Sequence, residues 1–150
     1  MLNCSRVLTI AALLSVGAAC DSGRHSSAGF RLPADGNAER GRQAFVELGC
    51  HSCHGVSGVD LPRPTVQPPI PVVLGGEVYA KLSDAYIVTA MIYPSYQFAP
   101  YPKDQIMSGG ISRMPNYADR MTARQMIDVV TFLQSHYVVL RQTMPEYGYY

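Results

Sequence analysis

Charge of either sign is scarce in this chain of 150 residues, where 12 Lys and Arg face 11 Asp and Glu for a formal net charge of +1. No basic patch gathers among them, which excludes a nucleic-acid binder. Lysine is rarer still: Lys81 and Lys103 stand alone, so no broad lysine ring can steer an acidic partner. Structural disulfides are not expected either. A bridge between Cys50 and Cys53 would close a very small loop with poor geometry, and Cys4 and Cys20 lie at the far N-terminus. Cys50, Cys53 and His54 (or His51) would need a distant fourth ligand for a tetrahedral zinc site, and no second Cys pair or further closely spaced His pair exists to supply it. No βαβ pattern surrounds the two cysteines, as a thioredoxin-like dithiol would need. The uncharged run at residues 7–19 is too short for an ordinary membrane span.

That run reads instead as an export signal. Arg6 precedes it, and Gly17-Ala18-Ala19 lead directly into Cys20. Small residues followed by Cys resemble a bacterial lipoprotein cleavage site, so residues 1–19 are expected to be a lipoprotein-type signal peptide and Cys20 the lipidated N-terminus. Gly17 departs from the larger aliphatic usual at its position, and ordinary cleavage leaving a free thiol is the alternative. Acylation at Cys20 would place the protein on the periplasmic side of a bacterial membrane. Residues 20–36, rich in Ser, Gly and Ala, read as a flexible tether with a random-coil reach of about 20 Å. Tethering raises effective concentration at a neighbouring complex without added affinity.

Three helices are legible. Asn37 can cap a helix over 38–48, with Glu39 in its first turn and Gly49 ending it. Gly41 in mid-helix costs about 1 kcal/mol against Ala, which implies a close backbone neighbour. Ser83 or Asp84 starts a second helix that Pro94 stops. Thr122 and Gln125 form a capping box for a long amphipathic helix expected to end near Leu140 or Arg141. Prolines at 62, 64, 68, 69 and 71 make residues 61–71 extended loop, and a Pro- and Tyr-rich loop fills 95–102. Residues 142–150 form a Tyr-rich tail.

Cys50-His51-Ser52-Cys53-His54 is the chemical centre of the chain. Two thiols at this spacing can form thioether bonds to haem vinyl groups, and the adjoining imidazole of His54 can reach the iron as proximal ligand. Zinc or a redox dithiol are the weaker alternatives. His51 and Ser52 have no required role. For the opposite axial position, Met91 and Met126 sit on helix faces, Met144 in the tail, His25 in the tether and His136 in the last helix. Met121 can act as a hydrophobic staple before Thr122. Met114 is the preferred candidate, because Pro115 forces it out of helical geometry and Gly109 and Gly110 would permit close backbone approach. Met107 is the runner-up.

With these elements in order, the chain resembles a bacterial class I cytochrome c over roughly residues 37–137. The match rests on Gly41-x-x-x-Phe45 leading into the haem motif and Gly55, on Met114-Pro115, and on the final Asp128-Val129-Val130-Thr131-Phe132-Leu133. The resemblance implies an all-α fold of three to four helices and long loops around one covalent haem c, spanning 37–141. It also implies that the first and last helices cross, with Gly41 and Phe45 meeting Phe132. With His54 and Met114 both on iron, no position stays open for a small-molecule substrate, and the expected role is a single-electron carrier between redox proteins, not an enzyme. The alternatives are a permanent haem subunit of an exported dehydrogenase or oxidase, and a haem ligand binder or peroxidase with an open axial site.

Overall fold

The computed structural model describes residue 30, residues 32–63 and residues 70–140. The expected signal, Cys20, residues 64–69 and the Tyr-rich tail lie outside the described residues, as does most of the expected tether. No helix among the described residues is long and apolar enough to cross a membrane.

Helix α1 spans Ala38–Glu47, with the Asn37 side chain accepting from the Arg40 N–H at 2.8 Å, and it ends at Gly49, left-handed at φ 77. A 3-10 turn at Cys50–Ser52 follows, then three short strands, β1 (His54–Val56), β2 (Val72–Leu74) and β3 (Gly76–Val78). Helix α2 covers Asp84–Ile92 from its Ser83 cap. Next come the single-turn helix α3 (Lys103–Ile106) and the hairpin β4 (Met107–Ser108) and β5 (Ile111–Ser112). Helix α4 runs over Ala123–Ser135 with the capping box of Thr122 and Gln125 in place, and β6 (Tyr137–Val139) closes the order.

The core forms where α1 crosses α4, the most extensive contact between elements. A Cβ on Gly41 would overlap the Asp128 carbonyl oxygen and press within 2.7 Å of Phe132 Cβ, so only glycine lets the two backbones approach this closely. Phe45 meets Phe132 edge-on with centroids 5.7 Å apart. Phe45, Phe132 and Val129 are fully buried, with Val56, Ile87, Val88 and Met91 completing the cluster from β1 and α2.

One charged side chain lies inside this crossing. Asp128 is 2 % exposed, yet both carboxylate oxygens are used: Oδ1 accepts from the Asn37 backbone N–H at 2.8 Å and from Arg40 at 3.1 Å, and Oδ2 from Arg40 at 2.8 Å. It thereby caps the start of α1 from α4. The Arg40 guanidinium holds the Asp128 carboxyl below its ordinary value, burial opposes, and the Asn37 N–H adds to the lowering.

Four expectations need correction. Three two-stranded ladders accompany the helices, so the expected all-α description omits short strands. Helix α4 ends at Ser135 and not near Leu140, because β-forming Tyr137, Val138 and Val139 pair in parallel with β3, and the His136 carbonyl accepts from Gly76 at 2.8 Å. The start of the domain reaches into the expected tether, where Leu32 packs on the core and Asp35 pairs with Arg124 at 3.0 Å. Gly109 and Gly110 meet no atom within 4 Å of a built Cβ. They stand at φ 58 and φ 84 in the two-residue turn between β4 and β5, the positive φ at both positions that a type I′ hairpin turn requires.

Two outcomes follow from the crossing. Gly41→Ala overpacks it and should cost about 1–3 kcal/mol, read as a lower denaturant midpoint of the haem-loaded protein at unchanged slope. For Asp128→Asn the effect depends on pH. The folded pKa of Asp128 lies below its ordinary 3.8, so its stabilisation is fully present above that value and is lost as pH falls through the folded pKa. Melting temperatures of wild type and variant should differ most at neutral pH and converge in acid below 3.8.

Candidate functional site

The end of α1 positions the Cys50–His54 segment. Gly49 reverses the chain, and the 3-10 turn is closed by the Cys53 N–H donating to the Cys50 carbonyl at 3.2 Å. The two thiols then face different surroundings. Cys50 is 8 % exposed and belongs to the core, whereas Cys53 is exposed. Burial pushes the Cys50 thiol up to about 11, with the neighbouring Tyr117 hydroxyl partly opposing.

His54 opens β1 and lies opposite Val72 in the parallel pairing with β2. Its Nδ1 is buried without a hydrogen-bond partner, as is Nδ1 of His51. Burial lowers the pKa of His54, opposed by a backbone contact from Val72, so its imidazole is neutral at pH 7. A neutral imidazole is the form that offers a lone pair to a metal.

Pairing of β1 with β2 also brings the Pro-rich excursion back to its origin. The Val72 N–H donates to the Cys53 carbonyl at 3.3 Å and the Ser57 N–H to the Leu74 carbonyl at 2.8 Å. A cleft of about 390 Å³ opens there, walled by Cys53, His54 and Val56, by Leu61 of the outgoing arm and by Pro71 and Val73 of the returning arm. Arg42 fixes the outgoing arm through a 3.0 Å hydrogen bond to the Asp60 carbonyl.

Met114 does not line this cleft. It is half-buried, packs against the core cluster to which Cys50 belongs, and its N–H donates to Ser112 Oγ at 3.1 Å. Of the other methionines considered for the axial position, Met91 and Met121 are buried in the core and Met126 packs beside them, whereas Met107 is half-buried and takes part in the hairpin through its backbone pairing with Ser112. His136 Nδ1 sits 2.8 Å from the Phe132 carbonyl, with its ring 4.8 Å from that of Phe132. His25, Met144 and Cys20 lie outside the described residues.

Sequence reasoning missed two residues. His51, given no role, has a buried unpartnered nitrogen and lines the cleft. Tyr117 is buried against Cys50 and donates its hydroxyl to the Leu48 carbonyl at 3.2 Å; its sequence signal is only its place three residues after Met114.

The donor set fits a covalently held haem. One buried and one exposed thiol share a tight turn, next to an imidazole whose Nδ1 is buried without a partner and a largely apolar cleft. Among the described residues no three His, Cys, Asp or Glu side chains gather to hold a bare metal ion. No curated protein and no solved structure matches the chain. The family model for cytochrome c matches residues 38–136, from the first residue of α1 to the cap of α4. That span holds the crossing, the cysteine turn and the Met114 loop together, and the chain belongs to the cytochrome c family, whose members carry covalently bound haem c with its iron.

Proposed function

We propose that this protein is a monohaem class I cytochrome c that carries single electrons between exported redox proteins, held at a membrane through lipid on Cys20. Cys50 and Cys53 form the thioethers, His54 is the proximal ligand and Met114 the distal one. The observation that carries the reading is the imidazole of His54, its Nδ1 buried without a hydrogen-bond partner, fixed beside the two thiols at the end of α1. Haem c, when bound, supplies reversible one-electron chemistry at iron.

The chain's own residues set the terms of that chemistry. Cys50, turned into the core, makes the attachment rigid, while exposed Cys53 keeps the other attachment near the surface. Val56, Val59, Leu61 and Pro71 give the cleft an apolar lining, and a low-dielectric surround favours the less charged ferrous state. A thioether from Met114 raises the reduction potential relative to a second imidazole. Two strong protein ligands leave no site for oxygen or substrate, which favours electron transfer over a ligand binder or peroxidase.

A second reading keeps the same chemistry but makes the protein a permanent haem subunit of a larger exported oxidoreductase. It is favoured by the exposed tyrosines after α2, where Tyr93 and Tyr96 stack 5.6 Å apart and Tyr96 is 68 % exposed, with Tyr101 nearby in sequence. Isolating the native protein separates the two, because a stable complex carries a catalytic chain through purification and a free carrier does not.

The axial assignment is tested by Met114→Leu, which should abolish the long-wavelength sulfur-to-ferric-iron absorption band and open the iron to added imidazole. A retained band would refute Met114. The haem also supplies core that so short a domain lacks. Cys50→Ala/Cys53→Ala protein should therefore be largely unfolded, and a cooperative, native-like thermal transition in that variant would count against this.

A further inference from the structure

Tyr117 joins three parts of the fold that are remote in sequence. Its side chain is 5 % exposed, and its hydroxyl donates to the carbonyl of Leu48, the residue that caps the end of α1. Its backbone N–H donates to the Met91 carbonyl in the last turn of α2 at 2.9 Å. Both acceptors lie at helix C-terminal ends, where carbonyls lack partners within their own helix. The Tyr117 carbonyl in turn accepts from Arg120 and Met121, each at 3.0 Å, shaping the turn that leads into α4. The Arg120 guanidinium lies 5.4 Å over the phenol ring and covers its outer face.

Leu48 is two residues before Cys50, and Met114 is three before Tyr117. The phenol therefore bridges the two chain segments that the function brings to opposite sides of one iron. We propose that Tyr117 is a positioning residue for the axial methionine: its hydroxyl ties the Met114 loop to the turn bearing Cys50 and thereby sets how readily Met114 leaves the iron. The inference rests on the reading of Met114 as distal ligand.

The hydroxyl can be removed without the rest of the contact. Tyr117→Phe keeps the ring in the core and all three backbone hydrogen bonds, and deletes the hydroxyl's bond to Leu48 together with its contact with Cys50 in the same segment. The Leu48 carbonyl then loses its side-chain partner, and the loop gains freedom relative to the haem-bearing turn. Loss of one ordinary hydrogen bond corresponds to roughly a three- to ten-fold change in an equilibrium constant. That change should appear in methionine displacement.

Ferric wild type, Tyr117→Phe and Asp128→Asn, all loaded with haem, are titrated with imidazole while the long-wavelength sulfur band is followed, and their melting temperatures are recorded. Asp128 serves as the comparison because it stabilises the α1–α4 crossing without touching the Met114 loop. Tyr117→Phe should bind imidazole roughly three- to ten-fold more tightly than wild type, whereas Asp128→Asn should stay within about two-fold despite its lower melting temperature. An unchanged affinity in Tyr117→Phe, with the band present in wild type, would overturn the positioning role alone. An equal gain in Asp128→Asn would do the same, since general loosening would then explain both. A wild type without the band removes the Met114 assignment and this inference with it.

Discussion

The close crossing of α1 and α4 is the constraint on which the other features depend. At Gly41 the α4 backbone passes so near that any side chain would collide with the Asp128 carbonyl, and Phe45 and Phe132 lock edge to face beside it. Close approach raises the number of dispersion contacts per residue, which matters in a domain too short to bury a large core. It also fixes the direction in which α1 points its C-terminal end. The Cys50–His54 turn continues from that end, so the crossing orients the chemistry.

Polar groups then hold what packing leaves free. Asp128 reaches from α4 to the first turn of α1 and uses both oxygens there, which makes a buried carboxylate tolerable and places one fixed charge away from the cleft. Tyr117 performs the corresponding task at the other end of α1, joining it to the end of α2. Between them they hold both ends of one short helix. The loops are organised in the same economical way: β1 with β2 returns the Pro-rich excursion to His54, and β3 with β6 fastens the end of the domain to the strand that follows that excursion.

Membership of the cytochrome c family makes haem-based electron transfer between redox proteins the broad role of this chain. Its surface suggests how such encounters differ from those of a strongly basic carrier. With a nearly balanced charge and two lysines, long-range steering is weak, and exposed apolar residues such as Tyr79, Val73, Tyr96 and Ile111 offer contact area instead. Contacts of that kind are short-ranged and little screened by salt.

Local chemistry made much of this readable in one dimension. The caps Asn37, Ser83 and Thr122, the helix end at Gly49 and the close approach at Gly41 are set by interactions within a few residues or by the lack of a Cβ, and each is in the structure where the residues implied it. The haem motif belongs with them, since five consecutive residues carry it. Other features depended on partners far along the chain. Tyr137 to Val139 suit either a helix or a strand, and only the available edge at Gly76–Val78 made them a strand. Nothing local marks Asp128 as the cap of a helix 91 residues away, or Tyr117 as the tie between two helix ends. The sequence by itself determined the three longer helices and their caps, the cysteine turn and the cofactor class, because these follow from short-range geometry and bonding. Tertiary structure alone decided which buried polar groups tie the two ends of α1 to the rest of the fold, because that depends on which distant atoms the crossing brings within hydrogen-bond reach.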